Sequence, residues 1–219
     1  MLEARALGVL IEKAHTVPDS YPLSLNSLVS GCNQKTARDP VIAASEAEVQ
    51  VAVDALKSLS LAFESSGSRV SRYEHNLGRA LLLPSQSVAL LAVLMLRGPQ
   101  TAAELRMNCE RLHRFADVSS VDAFLTELAE RSAEKGGPLA LKLPRAPGAR
   151  EARWVHLLCG EVDTSQMAMS PDAEDFVATS ELAALKNRQA SMEAEIGELR
   201  ALVDRLYAEL GVSKTNTGF

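Results

Sequence analysis

The chain has 219 residues, 47% of them hydrophobic but only 4% aromatic, and a formal net charge of −5. That length holds one large domain or two small ones with an extension, and cores filled by Leu, Val and Ala suit small helical domains better than a sandwich or barrel. The acidic total excludes a chain that is basic throughout, but it leaves room for a local basic surface.

The charge is uneven. Residues 1–84 carry 8 basic and 9 acidic side chains, residues 85–160 carry 10 and 8, and residues 161–219 carry 5 and 11. The net values of −1, +2 and −6 put most of the acidity in the last quarter. Residues 1–14 place Glu3 and Glu12 inside an amphipathic pattern, as a folded helix does and a signal peptide does not. The longest apolar run, residues 88–96, is too short for a bilayer, which takes about 20 residues. A cytoplasmic protein with no membrane partner is expected. Cys32, Cys109 and Cys159 lie far apart, and an odd number cannot all pair, so no disulfide framework is expected.

Leu7, Leu10, Ile11 and Ala14 follow helical spacing and predict a first helix. Pro18 and the pair Tyr21-Pro22 break the chain, and residues 24–31 form a short second helix with Leu25, Leu28 and Val29 inward. A polar loop follows over residues 33–40. Ser45 with Glu48 is a capping box for a third helix, whose apolar face is Val49, Val53 and Leu56, with Leu59 as a further candidate. Residues 61–65 and 70–75 read as two strands around the turn at 66–69, a hairpin that would form a wing.

The same order recurs after Pro84. Residues 88–96 predict a helix ending at Gly98-Pro99, and Thr101 with Glu104 opens a second short helix by another capping box. Ser119 or Ser120 is the expected cap of a third, with Val121, Phe124, Leu125 and Leu128 on its apolar face. Residues 139–143 and 152–158 form the second hairpin, preceded by a turn at Gly136-Gly137. Helix, helix, helix, hairpin is the winged form of the helix-turn-helix. The expected class is mainly α with small β-hairpins (α+β). It places one winged-helix-like domain over residues 1–84 and another over 85–160. A single helical domain with two β-ribbons is the alternative.

Residues 161–180 read as an acidic linker, residues 181–211 as a coiled-coil dimerisation helix and residues 212–219 as a disordered tail. The heptad runs through Leu182, Leu185, Gln189, Met192, Ile196, Leu199, Val203, Leu206 and Leu210, with Gln189 the one polar a position. The g-to-e pairs Glu181–Lys186, Arg188–Glu193 and Glu195–Arg200 are opposite in sign and favour a parallel homodimer, each by about 0.5 kcal/mol. Gly197 weakens the helix by about 1 kcal/mol relative to Ala. A helix folded back on its own domains is the alternative.

No catalytic constellation stands out, and no cofactor or metal is expected. His15, His75, His113 and His156 lack metal-ligand spacing, and there is no glycine-rich phosphate loop. Lys35 beside Cys32 is a feature that lowers a thiol pKa, although a buried helix-end cysteine is commoner. The most unusual stretch, residues 32–40, packs Asn33, Gln34, Lys35, Thr36 and Arg38 into one loop, with donors suited to phosphate or carboxylate. Equally, Asn33 can cap a helix while Thr36 and Asp39 organise the turn.

With Leu2-Glu3-Ala4-Arg5, Gly8, Glu12-Lys13, Tyr21-Pro22-Leu23-Ser24, Asn26 and Pro40-Val41, that loop resembles the YceH family of uncharacterised bacterial proteins. Leu96-Arg97-Gly98, Thr101, Glu104-Leu105-Arg106 and the stretch His156-Leu157 to Gly160-Glu161-Val162 extend the likeness over residues 2–162. The resemblance implies tandem winged-helix domains and a bacterial origin, and brings no established activity.

Two functions are open. A dimer with two winged helices per chain suits duplex DNA, with Lys35, Arg38, Arg69, Arg72, Arg145, Arg150 and Arg153 as phosphate contacts and Arg106, Arg111 and Arg114 adding to the field. Against groove reading, the third helices expose Glu46, Glu48, Gln50 and Asp54, then Asp122, Glu127 and Glu130, with only Lys57 and Arg131 near their ends. The other function is a protein–protein adaptor, because fold alone does not settle function. A small-molecule pocket between the domains is a third idea that no residue set supports.

Overall fold

A computed structural model describes residues 1–65, 70–145, 148–160 and 162. Arg69, the linker, the heptad from Leu182 to Leu210 and the tail lie outside the described residues.

In chain order the elements are α1 (Leu2–Thr16), β1 (Leu23–Ser24), α2 (Leu25–Cys32), α3 (Glu46–Ser58), β2 (Ala62–Ser65), β3 (Arg72–His75) and α4 (Leu77–Ala80). After these come α5 (Ser85–Arg97), α6 (Ala102–Asn108), α7 (Val118–Ala129), β4 (Ala140–Lys142) and β5 (Trp154–His156). Short 3-10 turns occur at Pro18–Ser20 and Ala133–Lys135. The fold is mixed α+β and mainly α.

The two halves share a pairing scheme as well as an order. In the first, β3 lies between β1 and β2, all antiparallel, with Tyr73 opposite both Leu23 and Glu64. In the second, β4 pairs with β5, and Gln100 takes the place of β1. Its N–H donates to the Trp154 carbonyl at 3.1 Å and its carbonyl accepts from the Trp154 N–H at 2.7 Å.

Helix α1 is buried at every position from Ala4 to Ile11, and α5 from Ser87 to Leu96. Helix stretches buried on every side belong to an interior, and these two pack on each other. Gly8 permits the approach, because a Cβ there would lie 3.0 Å from Leu96 Cγ. Gly31 on α2 serves the same end more tightly, with a Cβ reaching 2.5 Å from Val9 Cγ1. Leu10, Leu28 and Val53 from the first half and Leu90, Leu105 and Leu125 from the second therefore belong to one continuous core.

The expected capping boxes Ser45–Glu48 and Thr101–Glu104 are both formed. The third cap is a correction. Asp117, not Ser119 or Ser120, caps α7, its carboxylate accepting the Ser120 N–H at 2.7 Å. The helix begins at Val118, so Ser119 falls inside the first turn and Ser120 becomes the N3 partner of the cap.

Candidate functional site

The loop after α2 is built from the polar residues that mark it in the sequence. Asn33 caps α2 and clamps Ala44 twice: its side-chain amide donates to the Ala44 carbonyl and its oxygen accepts the Ala44 N–H, both at 2.8 Å. Arg38 turns inward. Its guanidinium donates to both Glu12 carboxylate oxygens, at 3.1 and 2.6 Å, and its Nε to the Gly31 carbonyl at 3.0 Å. Burial pushes the Glu12 carboxyl up, but the bonds from Arg38 and the nearby Lys13 ammonium outweigh it and leave the pKa below its usual value. Gln34 accepts from Lys13 and donates to Thr36, and the Asp39 N–H donates to the Leu96 carbonyl at 2.8 Å. Ala37 takes a left-handed conformation, φ 58°, at the tip. Of the loop's two cations, Lys35 faces solvent and Arg38 does not.

The second half turns more charge outward. Arg106 on α6 is exposed and donates to the Ala116 carbonyl at 3.0 Å. Arg111 and Arg114, in the connection to α7, are exposed, Arg114 at 3.9 Å from Glu110. Beside the second hairpin a cleft of about 520 Å³ is lined by Ser119, Asp122, Lys142, Arg145, Arg150 and Trp154. Arg145 and Arg150 are exposed and make no ion pair among the described residues. Asp122 organises the wall: it accepts from Trp154 Nε1 at 3.2 Å and from Lys142 at 3.3 Å, while the Lys142 ammonium sits 5.0 Å from the indole centre.

Other expected cations are engaged. Arg153 forms a two-pronged pair with Glu104, at 2.9 and 3.2 Å, and donates to the Pro99 carbonyl. Exposed Arg72 donates to the Pro22 carbonyl at 2.9 Å. On α3, Lys57 is paired with Glu64 and Asp54, while Gln50 bonds Asp54 and Tyr73. Its face is therefore acidic and internally bonded. Glu127 on α7 and Glu130 just after it are exposed.

Burial raises the Cys32 thiol to about 11 despite the nearby Arg5 and Arg38, and the Cys109 thiol to about 12. Cys32 is thus not an activated thiolate. Burial lowers His75 to about 4 and also lowers His156. Among the described residues no group of three or more His, Cys, Asp and Glu side chains is placed to hold a metal, and no helix is long and apolar enough to cross a membrane. Three residues that hold these sites carry no local mark of it in the sequence: Glu12, Arg5, which donates to the Pro40 carbonyl at 2.7 Å, and Asp122. The nearest to a signal is that Arg5 is a cation at an inward position of α1.

The model of a protein family of unknown function, DUF480, matches residues 1–149. The chain belongs to this family. Similar relatives carry the UPF0502 label, in agreement with the YceH resemblance. One from Burkholderia pseudomallei (strain 668) is 62% identical over 211 residues, covering 96% of this chain and 88% of the relative. One from Leptothrix cholodnii is 62% identical over 215 residues, covering 97% and 95%. A third, from Burkholderia multivorans, is 60% identical over 218 residues, covering 99% and 91%.

Proposed function

We propose that the chain is a non-catalytic DNA-binding regulator made of two winged-helix units, joined as a homodimer through the heptad of residues 181–211. The observation that carries this reading is the pair of exposed arginines, Arg145 and Arg150, between β4 and β5, neither in an ion pair among the described residues. Arg106, Arg111 and Arg114 lie across α7 in sequence order and add positive charge to the same half. In a winged helix the turn before the third helix and the wing both approach the phosphate backbone, and arginine at those places supplies sequence-independent affinity. Lys35 and Arg72 are the corresponding exposed cations of the first half, and Arg69, outside the described residues, joins them in the proposal.

The acidic α3 and α7 argue that base reading in the major groove is not the leading contact. Backbone contact led by the second half is the form of binding the charges favour. The test is fluorescence anisotropy of a random duplex titrated with full-length protein. Binding at about 50 mM salt that weakens steeply by about 200 mM is expected, and no binding at the lower salt removes the reading.

A protein-adaptor function draws on the first half. Val51 on α3, Leu59 just after it and Phe63 on β2 are 69%, 66% and 44% exposed beside the acids of α3. Large exposed apolar side chains among charges suit a protein partner.

A further inference from the structure

A cavity of about 700 Å³ opens where the start of α1, the segment after the 33–38 loop, the end of α5 and β5 come together. Small-molecule sites run from about 300 to 1,000 Å³ and are mostly apolar, with a few placed polar groups. This one has that make-up. Leu2, Ile42, Leu94, Met95, Pro99 and Val155 line it. The segment forming one wall is held firm by the Asn33 clamp on Ala44 and by the Asp39 N–H on the Leu96 carbonyl.

Two residues bearing cations line this apolar space: Met1, whose ammonium is paired with Glu3 at 2.9 Å, and Arg5. Arg5 is 5% exposed. Its Nη2 donates to the Pro40 carbonyl at 2.7 Å and its Nη1 reaches the Cys32 carbonyl at 3.5 Å, but its Nε is buried with no acceptor. No carboxylate approaches the guanidinium within ion-pair distance among the described residues, and its neighbour Arg38 is a second cation already committed to Glu12. Asp39 attracts it from beyond ion-pair distance, and a buried charge without a direct counter-ion is costly, so Arg5 keeps an unpaired donor rather than being a satisfied core residue. A second unfinished donor or acceptor is close by. His156 also lines the cavity, half-buried, and its Nδ1 has no partner. Burial, helped by the N-terminal ammonium, keeps this ring below its ordinary pKa and therefore neutral at pH 7.

We propose that this cavity binds a small amphipathic monocarboxylate, with its hydrocarbon body against Leu94, Met95 and Val155 and its carboxylate on the free donors of Arg5. His156 is the second polar contact. Asp39 and Glu48 also line the space, and their charge disfavours a polyanion such as a nucleotide, which restricts the ligand to one negative charge. The inference stands apart from DNA binding, since neither Arg5 nor His156 belongs to the proposed phosphate contacts.

Delipidated full-length protein titrated calorimetrically with decanoate, and separately with decanol, tests it. One saturable site per chain is expected, with decanoate bound about tenfold or more tightly than decanol, the advantage of a charge-assisted bond. Arg5→Gln should erase that preference and leave decanol binding unchanged. Because Arg5 also ties the 32 and 40 carbonyls, Ile42→Trp serves as a second variant, filling the wall and weakening both probes about tenfold or more. Absence of saturable decanoate binding below about 1 mM, equal affinity for the two probes, or decanoate binding indifferent to Ile42→Trp would each overturn the proposal. So would a change in oligomeric state on Ile42→Trp without decanoate binding, which would assign the cavity to a second copy of the chain.

Discussion

The connection between the second and third helices differs between the two halves. In the first half it spans residues 33–45, long enough to fold back over α1 and reach α5, and its arginine is withdrawn onto Glu12. In the second half it spans residues 109–117, ends directly in the Asp117 cap, and leaves Arg111 and Arg114 in solvent. A long loop over a core needs internal partners for its backbone and charges. A short one meets that need with a helix cap, and its cations stay available. The same order of elements thus yields a structural connection in one half and a charged surface in the other.

The largest effect that could break this contrast lies at the buried pair. Arg38→Met should destabilise the protein by about 3 kcal/mol, since it leaves the partly buried Glu12 carboxylate with Lys13 as its remaining ion-pair partner among the described residues, whereas Arg111→Met should change urea stability by less than about 0.5 kcal/mol. Comparable losses in both would mean that the second connection is structural too. Replacing Arg38 and Glu12 together by Leu should recover much of the loss.

Gly31→Ala comes next, with an expected cost of about 1–3 kcal/mol because the new methyl meets the stiff, buried Val9 side chain. A neutral result in thermal unfolding would mean that α2 shifts easily on α1. For the surface side, Arg145→Gln with Arg150→Gln should flatten the log–log salt dependence of duplex binding by about 2, near 0.9 for each phosphate contact removed. Lys35→Gln should flatten it by about 1 at most, and a larger change there would move the lead to the first half.

The last effect is with pH. The folded pKa of His75, about 4, lies below the 6.5 of the free side chain. Between those values the unfolded chain takes up the proton more readily than the folded one, so this contribution is full above about pH 6.5 and is lost as the pH falls toward 4. Melting curves from pH 7 to 4.5 should show the decline, and His75→Gln should make it shallower. His156 acts in the same direction, so the slope should not vanish.

Features set by near neighbours are legible in the sequence. The capping boxes at Ser45 and Thr101 depend on residues three apart, and α1 and α5 announce themselves through their apolar positions. The Asp117 cap was missed because two serines, two and three residues further on, are N-caps of comparable preference. Strand β1 has only two residues, too few for any alternation to show. The inward turn of Arg38 could not be read, since its partner Glu12 stands 26 positions away. Both residues were conspicuous in the sequence, but nothing local says that they meet. The cavity was hidden for the same reason: its lining is gathered from residues 1 to 162.

The burial of α1 against α5 has a consequence for anyone who would divide the protein. Each helix serves as part of the other half's interior, so a cut at Pro84 would leave two fragments, each with a naked oily stripe. Such pieces should clump when made singly and recover when made together. The intact region should melt in one step, as two rooms sharing a bearing wall come down at once.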